Sequence, residues 1–338
     1  MKKYSWILFI LISASLHAQV PVNREQFFLS EKPVNVSITT DIKNLRTEKK
    51  EPQYQPATIV VNFSETDIIE EQIRLMPRGE FRKNNCDIAS LMLHFNNTTS
   101  PKLAFLKRLK FVGGCSSGSA SEQLLLKEYL TYKILNQLTD MSFRVRLLHV
   151  RYNDSRGKMK PYSQYAFLIE DVDDMAKRNN CVEMEGRKYF MEQTNREHMT
   201  KIGLFQYMIG NTDFSVPNYH NIKLIVSKDD TLSRPFVVPY DFDYCGIVNA
   251  QYAVPADMLG IKSVTERLYR AYSRSMEELQ ASIAIYREKK PAILGLVNDF
   301  PSLNAREKKE MINYIESFYD IIERKSDVQA IFINNAMK

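Results

Sequence analysis

Residues 210–245 read GNTDFSVPNYHNIKLIVSKDDTLSRPFVVPYDFDYC. Two apolar, β-branched runs, 222–226 and 236–238, are joined by the polar SKDDTLSRP, which is the pattern of a β-hairpin. Asp213 and the carboxamides Asn218 and Asn221 precede the first run, and Asp241 and Asp243 follow the second. A hairpin brings its two ends together, so a carboxamide at the entrance and a carboxylate at the exit are expected to be neighbours. Mg²⁺ needs only one or two protein carboxylates when substrate phosphates supply further ligands. The pattern therefore predicts a metal and phosphate site. Asp213 follows a helical stretch marked by Met199, Ile202, Phe205, Met208 and Ile209. An acid at that point is placed to orient an attacking hydroxyl or take its proton. His220, beside Asn221, is a second candidate base or a structural residue.

Toward the N-terminus, runs 58–63, 69–74, 91–95 and 106–112 are rich in strand formers. A helix over 119–138 follows, opened by the capping-box signal Ser119 to Glu122, and then strands over 143–152 and 165–169. The expectation for 57–170 is an antiparallel sheet plus one helix. Glu128 shares a helix stripe with Leu124, Leu125, Tyr132 and Leu135. A carboxylate on an apolar face is costly unless it is paired. Lys107 and Lys110, on opposite faces of the preceding strand, are its candidate partners. Arg78 and Arg82 in Arg78-Gly79-Glu80-Phe81-Arg82 offer guanidinium forks suited to phosphate. Glu170 opens the acidic run EDVDD at the join of the halves, where ribose, metal or a helix N-terminus are the available readings.

Residues 171–338 read as mainly helical. Thr194 to Glu197 and Ser263 to Glu266 look like helix starts, and further helices fit 276–288, 291–297 and 305–325. At the other end, Lys2 and Lys3, an apolar run over 4–12 and a small-residue exit to Ala18 form a secretory signal over 1–18. That run is too short for a comfortable transmembrane span, and no later segment qualifies. Residues 19–56 read as a polar tail. The chain has 338 residues and a formal net charge of +6. Its Lys and Arg are interleaved with Asp and Glu, which argues against nucleic-acid binding. Cys86, Cys115, Cys181 and Cys245 match no zinc spacing and form no CxxC. Export would permit disulfides, and Cys86 with Cys115 is one possible pair. No GxSxG, HExxH or GxGxxG is present.

Taken together, RGEFR, KRLKFV, EQLLLKEYLTYKIL, FLIEDVD, GNTDFSVPNYHNIKLI and PYDFDY resemble the CotH family of secreted, kinase-like proteins. More distantly they resemble the HipA group and protein kinases in the order of parts. The resemblance spans roughly residues 58–270. It implies an α+β, two-lobed protein-kinase-like fold, with the sheet and one helix as N-terminal lobe and a mainly helical C-terminal lobe. It also implies ATP with Mg²⁺ or Mn²⁺ and phosphoryl transfer to a protein acceptor, in the periplasm or outside the cell. By position, Asp213 resembles the catalytic acid, Asp241 the metal-binding acid, Lys110 the phosphate lysine and Glu128 its partner. Asn218 has the kinase spacing from Asp213, whereas Asn221 has the kinase context directly before the strand and is preferred. Asp243 stands where kinases have Gly. Two other function classes use the same residues. One is a non-catalytic kinase-like binding or assembly protein. The other is a metal-dependent glycosyltransferase reading Asp241-Phe242-Asp243 as DxD.

Overall fold

A computed structural model of the protein describes residues 23–47, 53–96 and 98–338. The expected signal over 1–18 lies outside the described residues. The first half is built on strands β1 (Val34–Thr40), β2 (Gln55–Asn62), β3 (Ile68–Arg78), β4 (Ser90–His94), β5 (Arg108–Gly113), β6 (Val145–Asp154) and β7 (Tyr162–Ile169). They form a closed barrel in the order β1-β2-β3-β4-β5-β7-β6. Every pairing is antiparallel except the closure, where β1 runs parallel to β6 with Val34 beside Leu148 and Thr40 beside Asp154.

This closure corrects two expectations. The segment read as a polar tail contributes β1, flanked by helices α1 (Arg24–Leu29) and α2 (Ile42–Thr47). With β1 in place the sheet has no open edge, and the fold is a seven-stranded mixed barrel, not the two-lobed kinase-like arrangement. The sheet also carries more than one helix: α3 (Glu80–Asn85), α4 (Pro101–Ala104) and the long α5 (Ser119–Leu138) interrupt its strands. The physical reason is alternation. Val34, Val36 and Ile38 point inward with Asn35 and Ser37 outward, so β1 has one apolar face to bury. Closure also removes the unpaired edge that an open sheet exposes.

The remaining elements are α6 (Val172–Arg178), β8 (Cys181–Glu183), α7 (Arg196–Ile209), β9 (Ile222–Ser227), β10 (Phe236–Pro239), α8 (Met276–Asn298), α9 (Ala305–Glu323) and α10 (Lys325–Gln329). The expected hairpin is present as β9 and β10, and β8 adds a third strand beside β9. The expected helix from Ser263 does not form; residues 263–275 are turns and loop. The two helices expected over 276–288 and 291–297 are one, with Pro291 inside it. Leu279, Ile283, Tyr286, Ile293 and Val297 hold a single buried face through that proline, so core burial outweighs its missing donor. Among the described residues, no helix is long and apolar enough to cross a membrane.

Two apolar cores result. One fills the barrel with inward side chains such as Ile38, Ile59, Leu93, Phe111, Val150 and Leu168. The other joins the barrel's outer face, through Val112, Leu147, Phe167 and Ile169, to α5, α7, α8, α9 and the hairpin. β5, β6 and β7 feed both cores because successive side chains of a strand face opposite ways. Glu122, expected in a capping box, instead accepts a hydrogen bond from the Tyr165 backbone N–H at 2.8 Å, tying α5 to β7. The N-cap there is Gly118, without a side-chain bond. Asn195 rather than Thr194 caps α7, accepting from the His198 N–H at 3.0 Å.

Candidate active site

Helix α7 ends at Gly210 in the left-handed conformation, φ +66°. A Cβ there would collide with the Tyr314 hydroxyl, so this turn requires glycine. Asn211 locks the next turn, donating to Gln206 Oε1 at 3.0 Å and accepting from the Asp213 N–H at 2.9 Å. The chain then loops out and back through paired backbone hydrogen bonds between Ser215 and His220, both 3.0 Å. That return sets His220 Nε2 2.7 Å from Asp213 Oδ1. Asn221 Nδ2 donates to Asp213 Oδ2 and to the Asp213 carbonyl, both at 2.9 Å. Both carboxylate oxygens of Asp213 are thereby held.

The hairpin places the second acid. Ile222 pairs with Pro239, and the Tyr240 N–H donates to the Asn221 carbonyl at 3.0 Å. Asp241 comes next, at φ +63°, with its N–H donating to the buried Tyr132 hydroxyl of α5 at 2.8 Å. Asn221 is also left-handed, at φ +52°. A non-glycine residue in that region is uncommon and is tolerated best by Asn and Asp. Phe242 is wholly buried against Tyr132 and Phe205, ring centroids 4.7 and 5.6 Å away. It anchors the Asp-Phe-Asp turn and sends its two acids to different surroundings.

A cleft of about 460 Å³ opens between the barrel and this hairpin. Arg78, Lys110, Asp213, Asn221, Asp241 and Asp243 all line it. Asp241 faces the open space of the cleft while protein surrounds it on its other sides. Burial, and after it the neighbouring Asp243 carboxylate, push its pKa up to about 6 against the pull of Arg82 and Arg78. Lys110 sits on β5 with Nζ 5.0 Å from the Tyr240 ring centroid. Burial, then Arg78 and Lys223, push its pKa down to about 8. The cleft thus holds one carboxylate, Asp241, that burial and a neighbouring acid make harder to ionise, beside Lys110 and Arg78.

The expected Lys110–Glu128 pair does not form. Glu128 is buried and bonded to Arg82 Nη2 at 2.9 Å. Arg82 also donates to the Gly113 carbonyl at 2.7 Å and to Asp243 Oδ2 at 3.3 Å. Tyr252 donates to the same Asp243 oxygen at 3.0 Å. The reason is reach: α3 follows β3 directly and lays Arg82 across the end of β5, between α5 and the Asp-Phe-Asp turn. Burial pushes Glu128 up from its ordinary range and the Arg82 charge opposes it. Glu170, expected at the nucleotide, is buried elsewhere. It is paired with Arg178 at 2.9 and 3.1 Å and accepts from the Arg144 N–H at 2.9 Å. Asn218 is exposed and lines a neighbouring cleft rather than this one, and Lys107 is exposed just before β5. Arg82, which the sequence offered to phosphate, is instead held by the Gly113 carbonyl, Glu128 and Asp243, and Tyr132 and Tyr252 received no role from the sequence. Tyr132 was within reach of it, one helical turn after Glu128 on the same face.

Among the described residues, no group of three or more His, Cys, Asp and Glu side chains converges as a ready-made metal-ligand set. Asp243 and Asp213 crowd the Asp241 carboxylate, which a counter-charge would relieve; an ion there would need phosphate oxygens or water to complete its shell. No family model matches the chain, and no curated protein matches it.

Proposed function

We propose that the chain is an exported phosphotransferase that moves the terminal phosphoryl group of ATP to a protein hydroxyl with Mg²⁺ or Mn²⁺. One observation carries this reading: Arg78, Lys110, Asp213, Asn221 and Asp241, drawn from β3, β5, the loop after α7 and both ends of the hairpin, line one cleft. Apart from Arg78, these are also the residues whose roles the resemblance to CotH proteins assigned. The reading rests on the site rather than on the overall fold.

Lys110 and Arg78 supply the cations that bind and align the phosphates. Asp241 would hold the divalent ion, with Asn221 beside it and Asp243 in support. When bound, such an ion neutralises charge on the phosphate oxygens. Asp213 receives the acceptor hydroxyl, and His220 and Asn221 fix the direction of its carboxylate. In the transfer, the bond from the terminal phosphorus to its bridging oxygen breaks and a bond to the acceptor oxygen forms. The acceptor proton passes to Asp213, and the nucleoside diphosphate leaves. Positioning and charge neutralisation provide the rate enhancement. The Cys86–Cys115 disulfide, which ties the end of α3 to the loop after β5, supports an oxidising compartment.

The test is to incubate the purified protein with ATP, Mg²⁺ or Mn²⁺ and a general protein acceptor, and to look for added phosphate by mass spectrometry. Transfer by the native chain and its loss in Asp213→Ala and Asp241→Ala are expected. Bound nucleotide without transfer under either metal would instead make the chain a binding protein.

A further inference from the structure

A second cleft of about 490 Å³ lies against the first and shares Asp213, His220 and Tyr244 with it. Its volume falls in the range of ordinary ligand sites. One wall is the loop bearing Val254, Pro255, Ala256, Met258 and Leu259, joined at Val264. Two of these side chains stand open to solvent: Val254 is 71% and Met258 91% exposed. The facing wall is polar, made from the loop that carries Asp213, with Ser215 and Asn218. Arg270 lies within electrostatic reach of Asp213. It is held by the Thr212 carbonyl and by the Phe214 ring, 5.7 Å from its centroid.

We infer that this cleft is the acceptor site, and that it takes an extended protein segment presenting a serine or threonine hydroxyl beside an aliphatic side chain. The inference rests on the phosphotransferase reading and adds the acceptor's chemistry to it. Three features support it. The two clefts meet at Asp213, so an occupant of the second can bring its hydroxyl to that carboxylate. The loop wall leaves aliphatic and thioether surface uncovered, and burying an aliphatic neighbour of the hydroxyl there would stabilise the complex. A flexible Met side chain adapts to varied apolar partners. Arg270 supplies a fixed positive charge near Asp213, which disfavours a basic residue beside the hydroxyl. The polar wall offers Ser215 and Asn218 side chains to the segment's backbone.

The test measures peptide binding and ATP binding separately, on the full chain. A fluorescein-labelled peptide with Leu-Ser-Leu at its centre is titrated by anisotropy beside a Lys-Ser-Lys counterpart, and ATP binding is measured by calorimetry. The native chain should bind the aliphatic peptide about tenfold more tightly, the scale of one partly buried aliphatic side chain. The double variant Val254→Glu with Met258→Glu should lose that preference and leave ATP affinity unchanged; both positions are exposed enough to accept the change. Equal binding of the two peptides, or a preference that survives the double variant, overturns the assignment. Peptide discrimination without any ATP binding overturns the phosphotransferase reading and leaves the cleft as a peptide site.

Discussion

Asp241 and Asp243 stand two residues apart in one turn, and their surroundings differ in kind. Asp243 is buried in the cleft wall and bonded to Arg82 and Tyr252, with Glu128 sharing the same guanidinium. Asp241 is bonded through its backbone to Tyr132 but turns its carboxylate to the open cleft, which Asp213 and Asn221 also line. The first group is a satisfied charge knot that joins α3, α5 and the turn. The second is a group accessible from the cleft, in which His220 and Asn221 orient Asp213. Buried, mutually satisfied charges fix geometry, whereas crowded and accessible ones are available for chemistry.

Substitution separates the two groups most sharply. Asp213→Ala should lower phosphoryl transfer by about 10²–10⁴-fold, the usual contribution of a positioned acid–base group, with the thermal midpoint nearly unchanged. Asp241→Ala should abolish transfer through loss of metal-dependent nucleotide binding. Arg82→Leu should do the reverse in kind, costing about 3–5 kcal/mol of stability because Glu128 and Asp243 are left without their cation. Denaturant titration reads that loss. An Arg82→Leu chain as stable as the native one would show that the knot does not hold the turn.

Reading these regions from sequence succeeded where the signal was local. The hairpin was legible because 222–226 and 236–238 are apolar and the turn between them is polar, and the positions of Asn221 and Asp241 followed from hairpin geometry. Arg82 was not assigned its role, because its partners Glu128 and Asp243 lie 46 and 161 residues away and one arginine in a basic turn carries no sign of them. β1 shows alternation at Val34, Val36 and Ile38, but beside polar sequence that alternation was read as part of a tail. Its parallel register with β6 has no local signature, and closure of the barrel depends on that register. The pattern of the cleft residues was therefore more legible than the architecture that carries them.

Two smaller effects are expected. The Cys86–Cys115 bond closes a separation of 29 residues at the foot of the charge knot. Its removal in a Cys86→Ser/Cys115→Ser chain should cost about 2–4 kcal/mol by unfolding in denaturant. The same change should disturb Arg82 more than Asp213, so stability falls by more than activity does. The smallest effect comes from His198 on α7, well away from the knot. It is buried with Nε2 2.8 Å from the Val237 carbonyl, and burial pushes its pKa down from 6.5 to about 4. Below about pH 6.5 the unfolded chain takes up a proton that the folded chain refuses, so stability falls as pH falls, down to about pH 4. Between pH 7 and pH 5 the loss should be about 2 kcal/mol at ~1.4 kcal/mol per unit. A His198→Gln chain should lack this part of the slope.

The cleft at Asp213, Asn221 and Asp241 is proposed as a nucleotide–metal site. Calorimetric titration of the protein with ATP, with and without Mn²⁺, tests it most directly. Metal-dependent binding is predicted for the native chain and for Asp213→Ala, with at least tenfold weakening in Asp241→Ala. Binding that is absent in the native chain, or equal in native and Asp241→Ala chains, would contradict it.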